Sequence, residues 1–192
     1  MLTFLSELDI LNFDVRSYRN LRGIYIMQRK VFQLLVDNTS GVLSRIAGLF
    51  SRRGYNIESI TAGVTADPRF TRITIITSGD DEVLEQIEKQ VGKLVDVRNI
   101  KELKPDESVY RELVLIKVKV DATQRQGVIS LADIFRANVI DVAPESMTVE
   151  ITGDQSKVDA FIALFDGYEI LELARTGITG LGRGTDKVVY IE

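Results

Sequence analysis

Histidine and cysteine are both absent from this chain of 192 residues. Their absence excludes Ser-His-Asp and Cys-His catalytic arrangements, thiol redox chemistry, and zinc sites built from either ligand. Histidine is also the only side chain whose unperturbed pKa lies near neutrality. Any catalysis would therefore depend on carboxylates, Lys, Tyr, Arg or backbone groups. These absences favour a binding protein over an enzyme.

Long apolar runs and excess positive charge are missing as well. No apolar run reaches the roughly 18–20 residues that a membrane-spanning helix needs. Residues 1–29 do not read as a signal peptide, because Glu7, Asp9 and Asp14 interrupt their apolar positions. The net charge of -4 argues against nucleic acid as the main partner. We expect a cytoplasmic protein with neither a membrane nor a nucleic-acid partner.

Apolar periodicity between residues 30 and 103 predicts one βαββαβ unit. Residues 31–36 form a short apolar run that is typical of a buried strand. Apolar residues then recur at helical spacing, in a helix expected to begin near Ser40 or Gly41 and to end at Gly54. The remaining elements are strands over 56–65 and 70–77, a helix over 83–91 and a strand over 94–103. This order is the ferredoxin-like arrangement.

A polar, proline-containing break at residues 104–108 separates this unit from a second one. The second unit has predicted strands over 113–120, 139–142, 147–152 and 170–174, and helices over 126–135 and 156–165. We therefore predict an α+β protein with two tandem ferredoxin-like (βαββαβ) domains. Its parts are an extension over 1–29, a first domain over 30–103, a linker over 104–109, a second domain over 110–176 and a tail over 177–192.

The two halves also share a short sequence pattern. Val36-Asp37 followed by Gly41-Val42-Leu43-Ser44 resembles Val120-Asp121 followed by Gly127-Val128-Ile129-Ser130. Both stretches lie where a strand leads into a helix. The shared order of elements nevertheless carries more weight for the tandem arrangement than this short match does.

The turn Asp37-Asn38-Thr39-Ser40-Gly41 is the strongest candidate binding site. The first amides of a helix lack intrahelical partners, and the helix dipole adds positive charge there, which favours a bound carboxylate. Gly41 allows a ligand close to the backbone, and Asn38 offers a donor and an acceptor. Asn56, just after the helix, begins the next strand, and its amide is expected to reach the same end of the sheet if it lies near the return of the chain. On local sequence alone, an ordinary turn is the more common explanation.

Two other motifs point to structure rather than chemistry. The stretch from Gly180 to Gly184 lacks the Lys-Ser/Thr of a phosphate loop and precedes no helix. Asp80-Asp81-Glu82 is interpreted as the acidic start of a helix rather than a metal site.

The segment from Asp37 to Ser59 resembles the ACT domain of the acetohydroxyacid (acetolactate) synthase small subunit. The resemblance covers roughly residues 29 to 185, and Met27-Gln28-Arg29-Lys30 looks like a typical start, whereas residues 1–29 have no counterpart. Further matching stretches are Asp67-Pro68, Arg72-Ile73-Thr74, 84–90, 93–97, 140–144, 174–177 and 182–184.

The resemblance implies a first domain of the ACT type, in which sheets pair side by side and a free amino acid binds between two subunits. The effector would be valine or another branched-chain amino acid. Asn38, Gly41 and Asn56 match the family's binding positions, with Val42, Leu43 and Ile57 nearby. The helix amides would take the α-carboxylate and the apolar neighbours would receive the branched side chain.

It also implies a regulatory subunit, at least dimeric, that activates a separate catalytic large subunit and confers feedback inhibition. Thiamine diphosphate, Mg²⁺ and FAD would belong to that partner, leaving no cofactor, catalytic residue or metal in this chain.

One alternative is a stand-alone ACT sensor or transcriptional regulator, although no helix-turn-helix pattern supports the latter. Another is a small acylphosphatase-type enzyme, whose Arg-bearing loop and catalytic Asn are not supplied by Asn38 alone.

Overall fold

The computed structural model describes residues 17–20 and 23–185, which form two α+β domains preceded by a short strand pair. Strand β1 (Ser17–Asn20) pairs antiparallel with β2 (Gly23–Ile26). Most of the predicted extension, residues 1–16, lies outside the described residues. No helix within the described ranges is long and apolar enough to cross a membrane.

The first domain has the predicted βαββαβ order. Its elements are β3 (Gln28–Asp37), α1 (Val42–Arg53), β4 (Ser59–Val64), β5 (Phe70–Gly79), α2 (Asp81–Val91) and β6 (Val97–Glu102). The antiparallel sheet runs β4-β5-β3-β6, which is the ferredoxin-like arrangement. Helix α1 ends at Gly54 as predicted. Helix α2 begins after Asp80, whose carboxylate accepts a hydrogen bond from the Val83 amide at 2.8 Å.

Both helices of this domain pack on one face of the sheet. Phe32, Leu34 and Val36 alternate along β3 and are buried against Ile46 and Phe50 of α1. Apolar residues recur every two positions on the strand and every three to four positions on the helix, so each element buries one face. The apolar periodicity in the sequence therefore corresponds to a real core.

The second domain repeats the arrangement around a core of its own. Its elements are β7 (Ser108–Lys119), α3 (Arg125–Phe135), β8 (Asn138–Val142), β9 (Ser146–Gly153), α4 (Gln155–Ala163) and β10 (Glu169–Arg175). The sheet runs β10-β7-β9-β8, so the second ferredoxin-like domain is also confirmed. A single 3-10 turn, Pro105–Glu107, occupies the predicted linker.

The glycine-rich tail contains a strand that the sequence did not predict. Strand β11 (Thr179–Gly182) pairs antiparallel with residues 108–111 at the start of β7. Just before it, the Ile178 carbonyl accepts a hydrogen bond from Thr61 Oγ1 of β4 at 3.0 Å. The Thr179 hydroxyl lies 3.2 Å from the same Thr61 hydroxyl. The tail therefore joins the second domain to the first.

Candidate functional site

Asn38 fixes the turn between β3 and α1 to the loop between β4 and β5. Its backbone amide donates to the Arg69 carbonyl at 2.7 Å, and its Nδ2 donates to the Pro68 carbonyl at 2.9 Å. Its Oδ1 accepts from the Thr71 hydroxyl at 3.1 Å. The side chain nevertheless remains exposed. A ligand would therefore meet the second Nδ2 hydrogen and the second lone pair of Oδ1.

Gly41 is the N-cap residue of α1 and gives that helix no side-chain cap. Its φ of 84° lies in the left-handed region that favours glycine. The Arg45 amide, which donates to the Gly41 carbonyl at 2.9 Å, makes the first hydrogen bond of the helix. The amides of the first helical turn thus receive no capping oxygen from Gly41, and they are the groups that an anion would bind.

The equivalent turn of the second domain is closed by its own side chain. The carboxylate of Asp121 accepts hydrogen bonds from the amides of Thr123 and Gln124, at 2.8 and 2.9 Å. The hydrogen bond from the Thr123 hydroxyl, followed by these two amide bonds, lowers the pKa of Asp121. The two turns therefore differ in how their aspartate is used: Asp121 binds amides of its own turn, whereas Asp37 binds Arg98. Neither α1 nor α3 receives a side-chain cap.

Two arginine–carboxylate pairs brace the first turn. Arg98 donates both Nε and Nη2 to the Asp37 carboxylate at 2.7 Å, and Arg45 donates in the same way to Asp96 at 2.6 and 2.7 Å. The hydrogen bonds from Arg45 lower the pKa of Asp96. Sequence reasoning missed both pairs because each joins residues from distant parts of the chain. Since both guanidinium groups already hold carboxylates, the helix amides are the principal groups available to an incoming one.

The apolar residues predicted near the site have different surroundings. Val42 is only 4% exposed and lies in the domain core, so its side chain is not available to a ligand and only its amide can contribute. Leu43 is 48% exposed at the first turn of α1. Ile57 is half-buried and packs against the core from outside. Contact of Val42 with an effector would therefore involve its backbone amide, and the roles of all three residues stay predictions.

Asn56 lies at the opposite end of the sheet from Asn38. Its carbonyl accepts from the Thr77 hydroxyl at 2.6 Å, whereas Asn38 contacts Thr71. Thr71 and Thr77 are six residues apart on β5, which corresponds to about 20 Å along a strand. The expectation that Asn56 reaches the same end of the sheet is therefore wrong within one chain. Helix α1 runs the length of the domain, and Asn56 follows its far end.

Strand β4 links these two ends along the outer edge of the sheet. It begins close after Asn56 and ends at Val64, beside the loop that Asn38 contacts. In the part of the chain that the structure describes, no strand pairs with its outer edge. Ile60 is exposed on it, and Val64 is 61% exposed. An exposed aliphatic edge of this kind is a site for pairing with another strand.

A cavity of about 420 Å³ lies elsewhere, between β4 and the tail. It is lined by Thr61, Gly63, Arg72, Thr179 and Leu181, among others, and by none of the six predicted effector residues. Within the described ranges, no cluster of three or more acidic residues could hold a metal ion. The chemistry that the first turn offers is therefore anion binding at helix amides.

Two family models match this chain, one over each domain. Residues 32–99 match the family model described as the AHAS small subunit-like ACT domain. Residues 111–184 match the model described as the small subunit of acetolactate synthase. The two matches together cover the two domains almost completely.

Individual relatives agree over most of their length. The acetolactate synthase isozyme 3 small subunit of Escherichia coli K12 is 48% identical over 162 residues, covering 84% of this chain and 99% of that protein. The acetolactate synthase small subunit of Mycobacterium bovis is 49% identical over 151 residues, covering 79% of this chain and 90% of that protein. The acetolactate synthase small subunit from Thermotoga maritima, known from a crystal structure, is 43% identical in sequence. Its structure matches with a TM-score of 0.77, covering 83% of this chain and 99% of that one.

Proposed function

Because the chain belongs to the family of acetolactate synthase small subunits, we propose that it is a non-catalytic regulatory subunit. In this proposal it activates a separate catalytic large subunit and makes that subunit sensitive to feedback inhibition by a branched-chain amino acid, with valine as the first candidate. Thiamine diphosphate, Mg²⁺ and FAD are bound by the catalytic partner. The absence of histidine and cysteine supports this division of labour, because it removes the commonest catalytic groups from this chain.

The observation that carries the proposal is the open amino terminus of α1 behind Gly41. Its amides and the helix dipole suit the α-carboxylate of an amino acid. The exposed side chain of Leu43 offers an aliphatic surface for a branched side chain. Asn38, held by Thr71 and Pro68, keeps the polar side of the site in place.

The second half of the site comes from a partner copy. If two β4 edges pair antiparallel about a two-fold axis, the beginning of one β4 lies beside the end of the other. Asn38 and Gly41 of one subunit then lie close to Asn56 of the partner subunit. Asn38 and Asn56, which lie about 20 Å apart within one chain, are thus brought close together between two chains.

Regulation follows from binding at such an interface. A ligand between two subunits alters how the paired sheets pack, and the catalytic subunit responds to the difference between the two packings. Couplings of this kind are typically about 1–3 kcal/mol. Effector binding in this proposal weakens activation and does not block chemistry directly.

Two substitutions at one position test the placement. Asp and Asn tolerate left-handed backbone better than other residues, and either side chain must displace Arg45 Nη1, which lies 2.9 Å from a Cβ at residue 41. Gly41→Asp and Gly41→Asn therefore differ mainly in charge. We expect the reconstituted holoenzyme with Gly41→Asp to stay activated but to need at least about tenfold more valine for half-inhibition than with Gly41→Asn, which corresponds to about 1.4 kcal/mol.

Undiminished valine inhibition of the Gly41→Asp holoenzyme would contradict the placement of the carboxylate. Calorimetric titration of the purified chain with valine, leucine and isoleucine tests the effector class itself. Binding by none of them would overturn the proposal. Binding without any activation of the catalytic subunit would instead identify a stand-alone amino-acid sensor.

A further inference from the structure

The cavity between β4 and the tail contains a positive charge that has no partner in the described part of the chain. Its volume of about 420 Å³ falls within the range of about 300–1,000 Å³ that is usual for small-molecule sites. Among the described residues that line it, Arg72 is the only charged one. No ion pair or hydrogen bond between described residues uses the Arg72 guanidinium, whereas Arg45 and Arg98 both bind carboxylates.

The register of the sheet places Arg72 on the floor of this cavity. Ile73 of β5 is buried in the core beneath the helices, so Arg72 and Thr74 on either side of it point to the opposite, helix-free face. On β4, Gly63 lies opposite Arg72, and Thr61 lies opposite Thr74. A Cβ on Gly63 would have nothing within 4 Å. Arg72 therefore borders an open space and not a packed layer of side chains.

Threonine hydroxyls surround this space from both sides. Thr61 and the buried Thr74 belong to the sheet, and Thr179 belongs to the tail strand β11. The Thr179 hydroxyl donates to the Thr61 hydroxyl at 3.2 Å, and Thr61 donates to the Ile178 carbonyl. Hydroxyl groups can donate to an oxyanion and can also accept from a ligand hydroxyl. Leu181 of β11 adds aliphatic surface to the same wall.

We propose that this cavity binds a small organic anion, with its carboxylate or phosphate group on Arg72 and its polar body against the threonine hydroxyls. Arginine presents a planar fork of donors that matches two oxygens of either group. No acidic side chain among the described lining residues competes for that fork. The bound anion contacts both the sheet of the first domain and β11 of the tail, so its binding favours the state in which the tail is docked.

This site goes beyond the proposed function and is separate from the proposed effector site. The cavity lies on the helix-free face of the sheet, whereas the amides behind Gly41 belong to helix α1 on the other face. Helix amides also attract oxyanions, so the experiment must separate the two places. Gly41→Asp repels an anion at the helix and leaves the cavity unchanged, whereas Arg72→Gln does the reverse.

Calorimetric titration of the full chain with inorganic phosphate, and separately with lactate, tests the proposal. We expect at least one of these probes to bind at millimolar concentration, and Arg72→Gln to weaken that binding at least about tenfold. Arg52→Gln is the matched control, because Arg52 is exposed at the end of α1 and does not line the cavity. Binding of phosphate alone assigns the site to phosphate esters, and binding of lactate alone assigns it to carboxylates.

Filling the cavity provides a second variant that leaves the charge of the protein unchanged. Gly63→Val places a β-branched side chain, which suits a strand, in the open space opposite Arg72. We expect this variant to fold and to lose the probe. Hydrogen exchange of the β11 amides should slow on addition of the probe to the wild type, but not on addition to Gly63→Val.

Three results would overturn the anion site: no binding of either probe to the wild type, undiminished binding to Arg72→Gln, or equal weakening by Arg52→Gln. Loss of the probe from Gly41→Asp together with its retention by Arg72→Gln would place the anion at the helix amides instead. Valine titration of Arg72→Gln should give the wild-type affinity. If the wild type does not bind valine, the proposed function fails while the phosphate and lactate titrations still decide the cavity.

Discussion

Gly177 lies directly against Ser59, so that the start of the tail touches the first residue of β4. A Cβ on Gly177 would overlap Ser59 Oγ, and the φ of Gly177 is 85°. The neighbouring Ile178 is buried, and its carbonyl binds the Thr61 hydroxyl. The tail of the second domain therefore packs against β4, the strand proposed to form the dimer edge. Any movement of β4 on effector binding would reach the second domain through these contacts.

Gly177→Ala should loosen the junction between the domains. The new methyl group overlaps Ser59, and the left-handed backbone is strained for alanine, so we expect a loss of stability of about 2–4 kcal/mol. Gly184→Ala is a matched control, because Gly184 has the same φ and nothing within 4 Å of its Cβ position. Hydrogen exchange of the β11 amides should accelerate in Gly177→Ala only. Equal urea midpoints for the two variants would contradict the importance of this contact.

Asp154 should make the second domain sensitive to acid. Its carboxylate caps α4 by accepting from the Lys157 amide at 2.9 Å, and this bond, followed by one from the Ser156 hydroxyl, lowers its pKa. Because the pKa is lower in the folded state, the stabilisation is present above the unfolded value of about 3.9 and is lost as the pH falls through the folded value.

Asp154→Ala should therefore cost about 1 kcal/mol at neutral pH. Asp154→Asn keeps a capping oxygen but does not titrate, so its stability should fall less steeply than that of the wild type below about pH 4. Urea unfolding followed between pH 2.5 and 7 measures both effects. Identical acid profiles for wild type and Asp154→Asn would rule out this contribution.

Arg136 should be replaceable by glycine with a gain in stability. It ends α3 with a φ of 53°, whereas the equivalent helix α1 ends at a glycine. Left-handed backbone costs a residue with a side chain about 1–2 kcal/mol, part of which is offset by the greater freedom of glycine in the unfolded chain. We expect Arg136→Gly to stabilise the protein by up to about 1 kcal/mol and Arg136→Ala not to stabilise it. Thermal unfolding of both variants measures the effect. A less stable Arg136→Gly than Arg136→Ala would show that the arginine side chain matters more than the backbone.

The sequence predicted the parts of the fold that depend on local pattern. The apolar run over 31–36 predicted a strand that the structure extends to Gln28–Asp37, and the helical spacing from Val42 to Phe50 placed helix α1 almost to the residue. Gly54 and Asp80 marked helix ends because each acts locally. Gly54 does so through its left-handed backbone, and Asp80 through a carboxylate that accepts from the Val83 amide. The second domain followed from the same periodicities.

Features that depend on distant residues were not predictable in the same way. Strand β11 was missed because Gly180 and Gly182 provide no side-chain alternation, and the strand exists through its pairing with β7. The Arg45–Asp96 pair joins residues that only the fold brings together. Asn56 was placed at the wrong end of the sheet because its position depends on the length and direction of α1. Each of these is a tertiary effect that periodicity does not encode.

The most direct test of the central claim is valine binding by a mixed dimer of Asn38→Ala and Asn56→Ala chains, isolated through two different affinity tags. Each parent homodimer has a defect in both sites. If one site combines Asn38 of one chain with Asn56 of the partner subunit, the mixed dimer has one doubly defective site and one intact site. We expect calorimetry to show one valine per mixed dimer at wild-type affinity, with the parents binding at least tenfold more weakly. A mixed dimer that binds as poorly as its parents would contradict a site shared between subunits.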